Sequence, residues 1–183
     1  MSSRSRFDII STMEVIKAPN EVLRAQTKPV KKITPGYLKT VKEMITLTKT
    51  FKDPEGVGLA STQVGRSERF FVAKSEKSFY SAFNPQIISL GKRTKVYLEG
   101  CLSIPDYYGE VRRNLLVRVS YQNEAGKAVL KTLKGIDAWI FQHETDHLNG
   151  ILFPDRVLQQ KGKFYKCVGK DETGTDIFEE VVL

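Results

Sequence analysis

The sequence predicts an α+β fold in which antiparallel strands surround a central helix and a β-hairpin forms the C-terminus. Helical spacing of apolar residues occurs in two segments, several strand-like runs lie between them, and two more such runs flank a late turn. The chain has 183 residues, of which 40% are apolar, and this length suits one domain of roughly 150 residues. We assign residues 14–183 to a single domain and residues 1–13 to a flexible extension.

The first helix is predicted to begin after Thr34, a favoured capping residue, with Pro35 in the first helical position. The residues that follow at spacings of three and four define one buried face. This face comprises Tyr37, Val41, Met44, Ile45, Thr48 and Phe51. The helix is expected to end before Pro54, because proline cannot donate a helical hydrogen bond.

The middle of the chain predicts strands, because short runs of β-branched and aromatic residues alternate with turn residues. The predicted strands are 69–73, 82–90, 94–98, 115–121 and 128–133. The Asn-Glu-Ala-Gly sequence at 123–126 is typical of a hairpin turn between the last two. A second helix is predicted from about Ile136 to Leu148, and Asn149-Gly150 ends it.

The tail after residue 160 predicts a hairpin rather than a helix. Its three glycines would each weaken a helix by about 1 kcal/mol relative to alanine. Strand-like runs at 164–168 and 177–182 flank an Asp-Glu-Thr-Gly turn at 171–174, and Cys167 is expected to be a structural or surface thiol. The tail carries four lysines and five acids, whereas the rest carries 25 basic and 16 acidic residues. The positive charge therefore lies on the body of the domain.

The composition excludes several classes of protein. No apolar run approaches the roughly 20 residues that span a bilayer, and two cysteines are too few for a disulfide-rich secreted domain. The net charge of +8 favours contact with anions such as RNA-rich surfaces, but the basic residues are scattered and no DNA partner is expected. The Ser- and Arg-rich start lacks the apolar core of a secretion signal. We expect a cytoplasmic monomer, or an organelle protein if residues 1–13 are a transit remnant.

The second helix contains a His-Glu-x-x-His motif. His143 and His147 lie one helical turn apart on one face, so both imidazoles can reach one metal ion, and Glu144 can act on a water molecule there. They share a stripe with Ile136, Trp139 and Ile140, which predicts that the histidines are buried. The competing interpretation is a surface helix with two solvated histidines.

The third metal ligand remains open from the motif alone, because catalytic sites of this type usually have three protein ligands. Thermolysin-like proteases take theirs from downstream, where Asp155 and the acids of 171–180 are the candidates. The upstream candidate is Cys101, whose thiolate would be a strong ligand for a borderline metal. Further upstream, Gly56-Val57-Gly58 predicts a bare backbone edge against a ligand, and Gln63 supplies an amide donor.

Three segments in this order resemble the three motifs of the peptide deformylase family. They are Gly56–Gln63, with Ser61 where the family usually has alanine, Glu99–Ser103, and Gln142–Leu148. The start at 15–24 is similar as well, and the likeness covers roughly residues 14–157. It implies a metal-dependent hydrolase that removes the N-formyl group from the initiator methionine of nascent polypeptides.

The resemblance also implies a role for each site residue. One divalent ion would be held by Cys101, His143 and His147, with water in the fourth position. Glu144 would take the water proton and deliver it to the leaving amine. Gln63, through its side chain, and Leu102, through its backbone N–H, would stabilise the developing oxyanion.

The substrate is expected to be an N-formylmethionyl peptide that pairs with the backbone of Val57 and Gly58 as an added strand. Its methionine side chain would enter an apolar slot formed by Ile136, Ile140 and Tyr97. Trp139 is bulkier than expected for the family at this position; it either narrows the slot or packs behind it, and packing behind it is the expectation. Arg113 is expected to form a structural ion pair.

The spacing of the ligands does not identify the metal, because His₂Cys sites suit several divalent ions. The resemblance implies Fe²⁺ in the cell, with Zn²⁺, Ni²⁺ or Co²⁺ in isolated protein, and it suggests transient ribosome contact through the basic body surface. Two alternatives remain: an HExxH-type metalloprotease and a non-catalytic metal-binding module. The Glu99-Gly100-Cys101 sequence and the lack of a convincing downstream ligand argue against the protease, whereas Glu144 and Gln63 argue against the non-catalytic module.

Overall fold

The computed structural model describes residues 13–76 and 78–182. The predicted extension, apart from Met13, lies outside the described residues. The elements in chain order are α1 (Pro35–Thr50), β1 (Gly58–Ala60), β2 (Phe70–Lys74), β3 (Phe79–Leu90), β4 (Thr94–Cys101), β5 (Ile104–Asn114), β6 (Leu116–Gln122), β7 (Ala128–Lys134), α2 (Gly135–Leu148), α3 (Phe153–Gln160), β8 (Phe164–Lys170) and β9 (Asp176–Val181). Short 3-10 helices cover Glu21–Arg24 and Ser61–Val64.

The strands form two antiparallel sheets. The first has the order β1-β2-β3-β6-β7 and the second the order β4-β5-β8-β9. Consequently β1 is an edge strand of the first sheet and β4 is an edge strand of the second. An edge strand keeps backbone N–H and C=O groups that can pair with another chain.

Helix α2 packs on the first sheet and also contacts β5 of the second. Phe71 and Val119 of the sheet meet Ala138 and Phe141 of α2 in one apolar cluster. Buried residues occur on nearly every side of this helix, which fits its predicted central position. None of the described helices is both long and apolar enough to cross a membrane.

Helix α1 covers the opposite face of β2 and β3. Val41 and Met44 pack with Phe70, Val72 and neighbouring residues in a second apolar cluster. As predicted, Pro35 occupies the first turn of this helix, and the helix ends at Thr50, before Pro54. The strand β2 is therefore buried on both faces, which explains its continuous apolar sequence.

Three elements were absent from the sequence prediction: the three-residue strand β1, strand β5 and helix α3. Strand β5 contains Pro105, Asp106 and Gly109, which are poor strand formers, yet its residues 108–114 and Ile104 pair with β4, with an irregularity between them. Helix α3 has eight residues, with Pro154 in its first turn, and buries Phe153 against the second sheet. The predicted C-terminal hairpin is confirmed as β8 and β9. Cys167, on β8, is a partly exposed free thiol.

Candidate metal centre and substrate cleft

Three side chains from two elements converge on one point beside α2. The ligand atoms of Cys101, at the end of β4, and of His143 and His147, on α2, lie within 4.8 Å of one another and are buried. The Sγ of Cys101 is 3.3 Å from Nε2 of His147. One soft thiolate and two imidazoles suit a borderline divalent metal, so the residues present fit the expected ion. Asp155 is not in this group and instead accepts a hydrogen bond from the backbone of Leu152.

The electrostatics of the site favour a thiolate. Burial raises the pKa of Cys101, but His147 and His143 outweigh that effect and lower the pKa to about 5. Burial lowers the pKa of His143, but hydrogen bonds to Cys101 and Glu99 raise it well above its usual value. The thiol is therefore already prepared to bind a cation.

Glu99 orients the imidazole ring of His143. Its carboxylate is fully buried, and its Oε2 lies 2.9 Å from Nδ1 of His143. This bond turns the other ring nitrogen of His143 towards Cys101. Arg113 donates to both oxygens of Glu99, at 2.7 and 2.9 Å, and to Asp146 at 2.6 Å. The prediction that Arg113 forms a structural ion pair agrees with these contacts.

Glu144 faces the same point from α2. Burial raises its pKa to about 7, against the opposing effect of both histidines. Its Oε2 has no hydrogen-bond partner among the described residues. A buried carboxylate oxygen without a partner is costly, which is typical of a functional group that meets a ligand or water.

Gly58 explains the bare backbone predicted in the first motif. A Cβ at this position would lie 2.2 Å from Oε1 of Glu144, so any side chain here would have to displace the Glu144 carboxylate. Gln63 is held by its own loop, because its Oε1 accepts from the Ala60 N–H at 2.8 Å. Its Nε2 consequently points into the site, where it donates to Ser103 Oγ at 3.0 Å and to Cys101 Sγ at 3.4 Å.

Ser61 and Leu102 are also fixed by contacts. The Ser61 hydroxyl is buried and donates to the carbonyl of Glu68 at 2.6 Å, which is the backbone partner expected for this departure from the family motif. The Lys17 ammonium donates to the carbonyl of Leu102, which fixes that peptide unit beside Cys101. The sequence reasoning missed Ser103 and Lys17 as supporting residues, because their contacts are not encoded in any local spacing.

A cleft opens over two of the three ligands, Cys101 and His143. It is lined by Pro54, Glu55, Gly56, Val57, Gly58, Gln63, Gly100, Cys101, Leu102, Trp139, Ile140, His143 and Glu144. An adjoining cavity of about 590 Å³ shares Glu55, Val57, Trp139 and Ile140 with the cleft and adds Ile136 to its wall. The cleft thus lies between the edge strands β1 and β4.

Two predicted slot residues, and the tryptophan expected behind the slot, are placed differently from these expectations. Ile136 is 62% exposed, because it lies in the first turn of α2, so the predicted buried stripe begins only at Trp139. Tyr97 does not line the cleft and stacks on Trp139 instead. Trp139 was expected to pack behind the slot, yet it lines both cavities.

The fold and the site define the class of the protein as a hydrolase with a Cys-His-His group that can hold one metal ion. The family described as Polypeptide deformylase matches residues 12–163. The peptide deformylase of Thermotoga maritima is 43% identical over 140 residues, which cover 76% of this chain and 84% of that protein. The peptide deformylase of Mesorhizobium japonicum is 38% identical over 167 residues, covering 86% of this chain and 93% of that protein.

Solved structures agree with these matches. The crystal structure of the Thermotoga maritima enzyme has a TM-score of 0.74 at 40% identity, covering 79% of this chain and 96% of that chain. A Met-Ala-Ser-bound class I type b peptide deformylase from Acinetobacter baumannii has a TM-score of 0.72 at 31% identity, covering 79% and 97%. The chain belongs to the polypeptide deformylase family, hydrolases that remove the N-formyl group from nascent polypeptides and release formate. The predicted activity is thereby supported over the protease and the non-catalytic module.

Proposed function

We propose that this chain deformylates N-formylmethionyl peptides with one divalent ion held by Cys101, His143 and His147. The observation that carries the proposal is the convergence of these three ligand atoms beside a buried Glu144 oxygen that has no hydrogen-bond partner among residues 13–76 and 78–182. When bound, the ion supplies Lewis acidity to the attacking water and to the formyl oxygen. The donor set and the family resemblance favour Fe²⁺ in the cell, with Zn²⁺, Ni²⁺ or Co²⁺ in isolated protein.

Glu144 moves the proton in this mechanism. Its carboxylate accepts a proton from the attacking water and then delivers it to the nitrogen of the departing methionine. As the formyl carbonyl becomes tetrahedral, its oxygen gains negative charge. Gln63 Nε2 and the Leu102 N–H are the proposed donors to that oxygen, and one such donor typically contributes about 3 kcal/mol.

The peptide is proposed to bind as an additional strand between the two sheets. Strands β1 and β4 both have a free edge at the cleft, and Val57, Gly58 and Gly100 line it. Backbone pairing to these edges accepts many sequences after the first residue, which suits an enzyme of nascent chains. The methionine side chain would lie against Val57, Trp139 and Ile140.

A metal analysis combined with two variants tests this proposal. We expect about one ion per chain in wild type and in Glu144→Gln, whereas Cys101→Ala loses the ion. Both variants should lose formate release from formyl-Met-Ala, the first because the proton acceptor is gone and the second because the ligand is gone. Normal metal binding and turnover in Cys101→Ala would contradict the assigned ligand set.

The proposed context is a cytoplasmic monomer, with residues 14–183 as one catalytic domain. Fractionation would show an organelle location if residues 1–13 are a transit remnant, and light scattering would detect oligomers.

Ribosome contact is proposed through the body surface, because the tail is slightly acidic while the rest is strongly basic. Co-sedimentation with ribosomes should therefore weaken as salt rises. Salt-independent co-sedimentation would contradict an electrostatic contact.

A further inference from the structure

Trp139 stands where the substrate side chain would pass. It lines both the cleft over the metal ligands and the adjoining cavity, which share Val57 and Ile140 as well. A side chain that passes from the cleft into the larger cavity would therefore lie beside these shared residues, the indole among them. This residue is the only tryptophan of the chain.

The indole ring is held at two points. It stacks on Tyr97 with a centroid separation of 5.0 Å and an interplanar angle of 4°. Its Nε1–H donates to Oε1 of Glu99 at 2.8 Å. A ring fixed by a parallel stack and by a hydrogen bond to a buried carboxylate cannot swing aside without losing both contacts.

Glu99 accepts four hydrogen bonds, two at each oxygen. Oε1 accepts from Arg113 Nε and Trp139 Nε1, and Oε2 accepts from Arg113 Nη2 and His143 Nδ1. Because the carboxylate is fully buried, water cannot replace a missing donor. The wall of the substrate pocket and the group that orients a metal ligand are thus joined through a single carboxylate.

We propose that Trp139 is a specificity-determining residue that also positions His143 through Glu99. As a fixed wall it admits an unbranched, flexible side chain such as methionine, whose sulfur contacts aromatic rings favourably, and it excludes aromatic side chains. As a donor to Glu99 it helps hold the carboxylate that orients His143. This inference rests on the proposed deformylase function.

The first test uses the fluorescence of Trp139 in the metal-loaded wild-type protein. Adding Met-Ala-Ser, the product of deformylation, should change the emission, because the methionine side chain lies on the indole. A protein that binds Met-Ala-Ser, as shown by equilibrium dialysis, without any change in emission would contradict the pocket-wall assignment. This test needs no turnover, so its result is independent of whether the chain hydrolyses formyl-Met-Ala.

The second test separates the two roles with three variants. Trp139→Leu removes the wall, and the ratio of kcat/KM for formyl-Phe-Ala to that for formyl-Met-Ala should rise about tenfold. Trp139→Phe keeps an aromatic ring over Tyr97 but removes the donor to Glu99. It should lose Ni²⁺ to a chelator about tenfold more readily than wild type, with a smaller change in the substrate ratio. Tyr97→Leu should relax the substrate ratio and leave Ni²⁺ retention unchanged.

Two results would overturn the proposal. A wild-type substrate ratio in folded Trp139→Leu would refute the specificity role, and wild-type Ni²⁺ retention in Trp139→Phe would refute the link through Glu99. Circular dichroism of each variant reports whether the fold is intact. Failure of wild type to hydrolyse any formyl peptide would refute the proposed function instead.

Discussion

Replacement of Arg113 is the most severe test of the buried network formed by Arg113, Glu99 and Asp146. Arg113 is 5% exposed and joins Glu99 of β4 to Asp146 of α2 through three hydrogen bonds of 2.6 to 2.9 Å. Burial alone would raise the pKa of Glu99, but Arg113 and His143 hold it at about 2. Arg113→Met would keep the apolar stem and remove the guanidinium, so the buried Glu99 would keep only its hydrogen bonds with Trp139 and His143.

The expected loss of stability is large. Breaking a buried ion pair by removing one partner typically costs about 3–5 kcal/mol, because the remaining charge has neither water nor a counterion. Arg156→Met is the matched control. Arg156 also binds Asp146, but its side chain is 28% exposed, and Asp146 would keep Arg113. An ion pair of this partly exposed kind contributes at most about 1 kcal/mol.

Urea unfolding followed by Trp139 fluorescence measures both effects. All samples need the same free metal concentration, because a bound ion adds its own stabilisation. We expect Arg113→Met to lower the free energy of unfolding several times more than Arg156→Met does. If Arg113→Met stays within about 1 kcal/mol of wild type, or if both variants are equally destabilised, the reasoning about the buried network is refuted.

Three further predictions concern the site. Glu144→Gln should keep its metal and lose a factor of about 10²–10⁴ in kcat, measured as formate release; near-normal turnover would remove Glu144 from its role. Gly58→Ala should abolish most activity, because the new Cβ would displace Glu144. Gly36→Ala is the matched control, because its Cβ would meet only Thr34 Oγ1 at 3.6 Å. This control should be as active as wild type. Ser61→Ala should cost about 1 kcal/mol of stability for one lost hydrogen bond and leave kcat unchanged, so a large loss of activity would show a catalytic role for the hydroxyl.

Local sequence patterns predicted the regular elements well. Helix α1 and the turn at 123–126 are set by interactions between residues close in sequence, so local sequence patterns are enough to predict them. Strand β5 could not be predicted this way, because its pairing with β4 overrides the unfavourable Pro105 and Gly109. Helix α3 is short, and its existence depends on burying Phe153 and Val157 against the second sheet.

The site residues likewise fall into two groups: those that local sequence motifs identify and those that depend on contacts between distant segments. The sequence motifs alone identify His143, His147, Glu144 and Cys101 as candidates for one site. The position of Trp139 could not be settled from the sequence, because it depends on a hydrogen bond to Glu99, forty residues away on another element. Sequence spacing constrains partners on one helix face, but it does not specify which side chain of a distant strand will meet them.

Simultaneous analysis of formate and peptide products tests the central claim most directly. The purified chain, loaded with Fe²⁺ or Ni²⁺, would be incubated with formyl-Met-Ala-Ser. The account predicts equal amounts of formate and intact Met-Ala-Ser, with neither product formed by Glu144→Gln. Cleavage of an internal peptide bond, or consumption of substrate without formate, would contradict it.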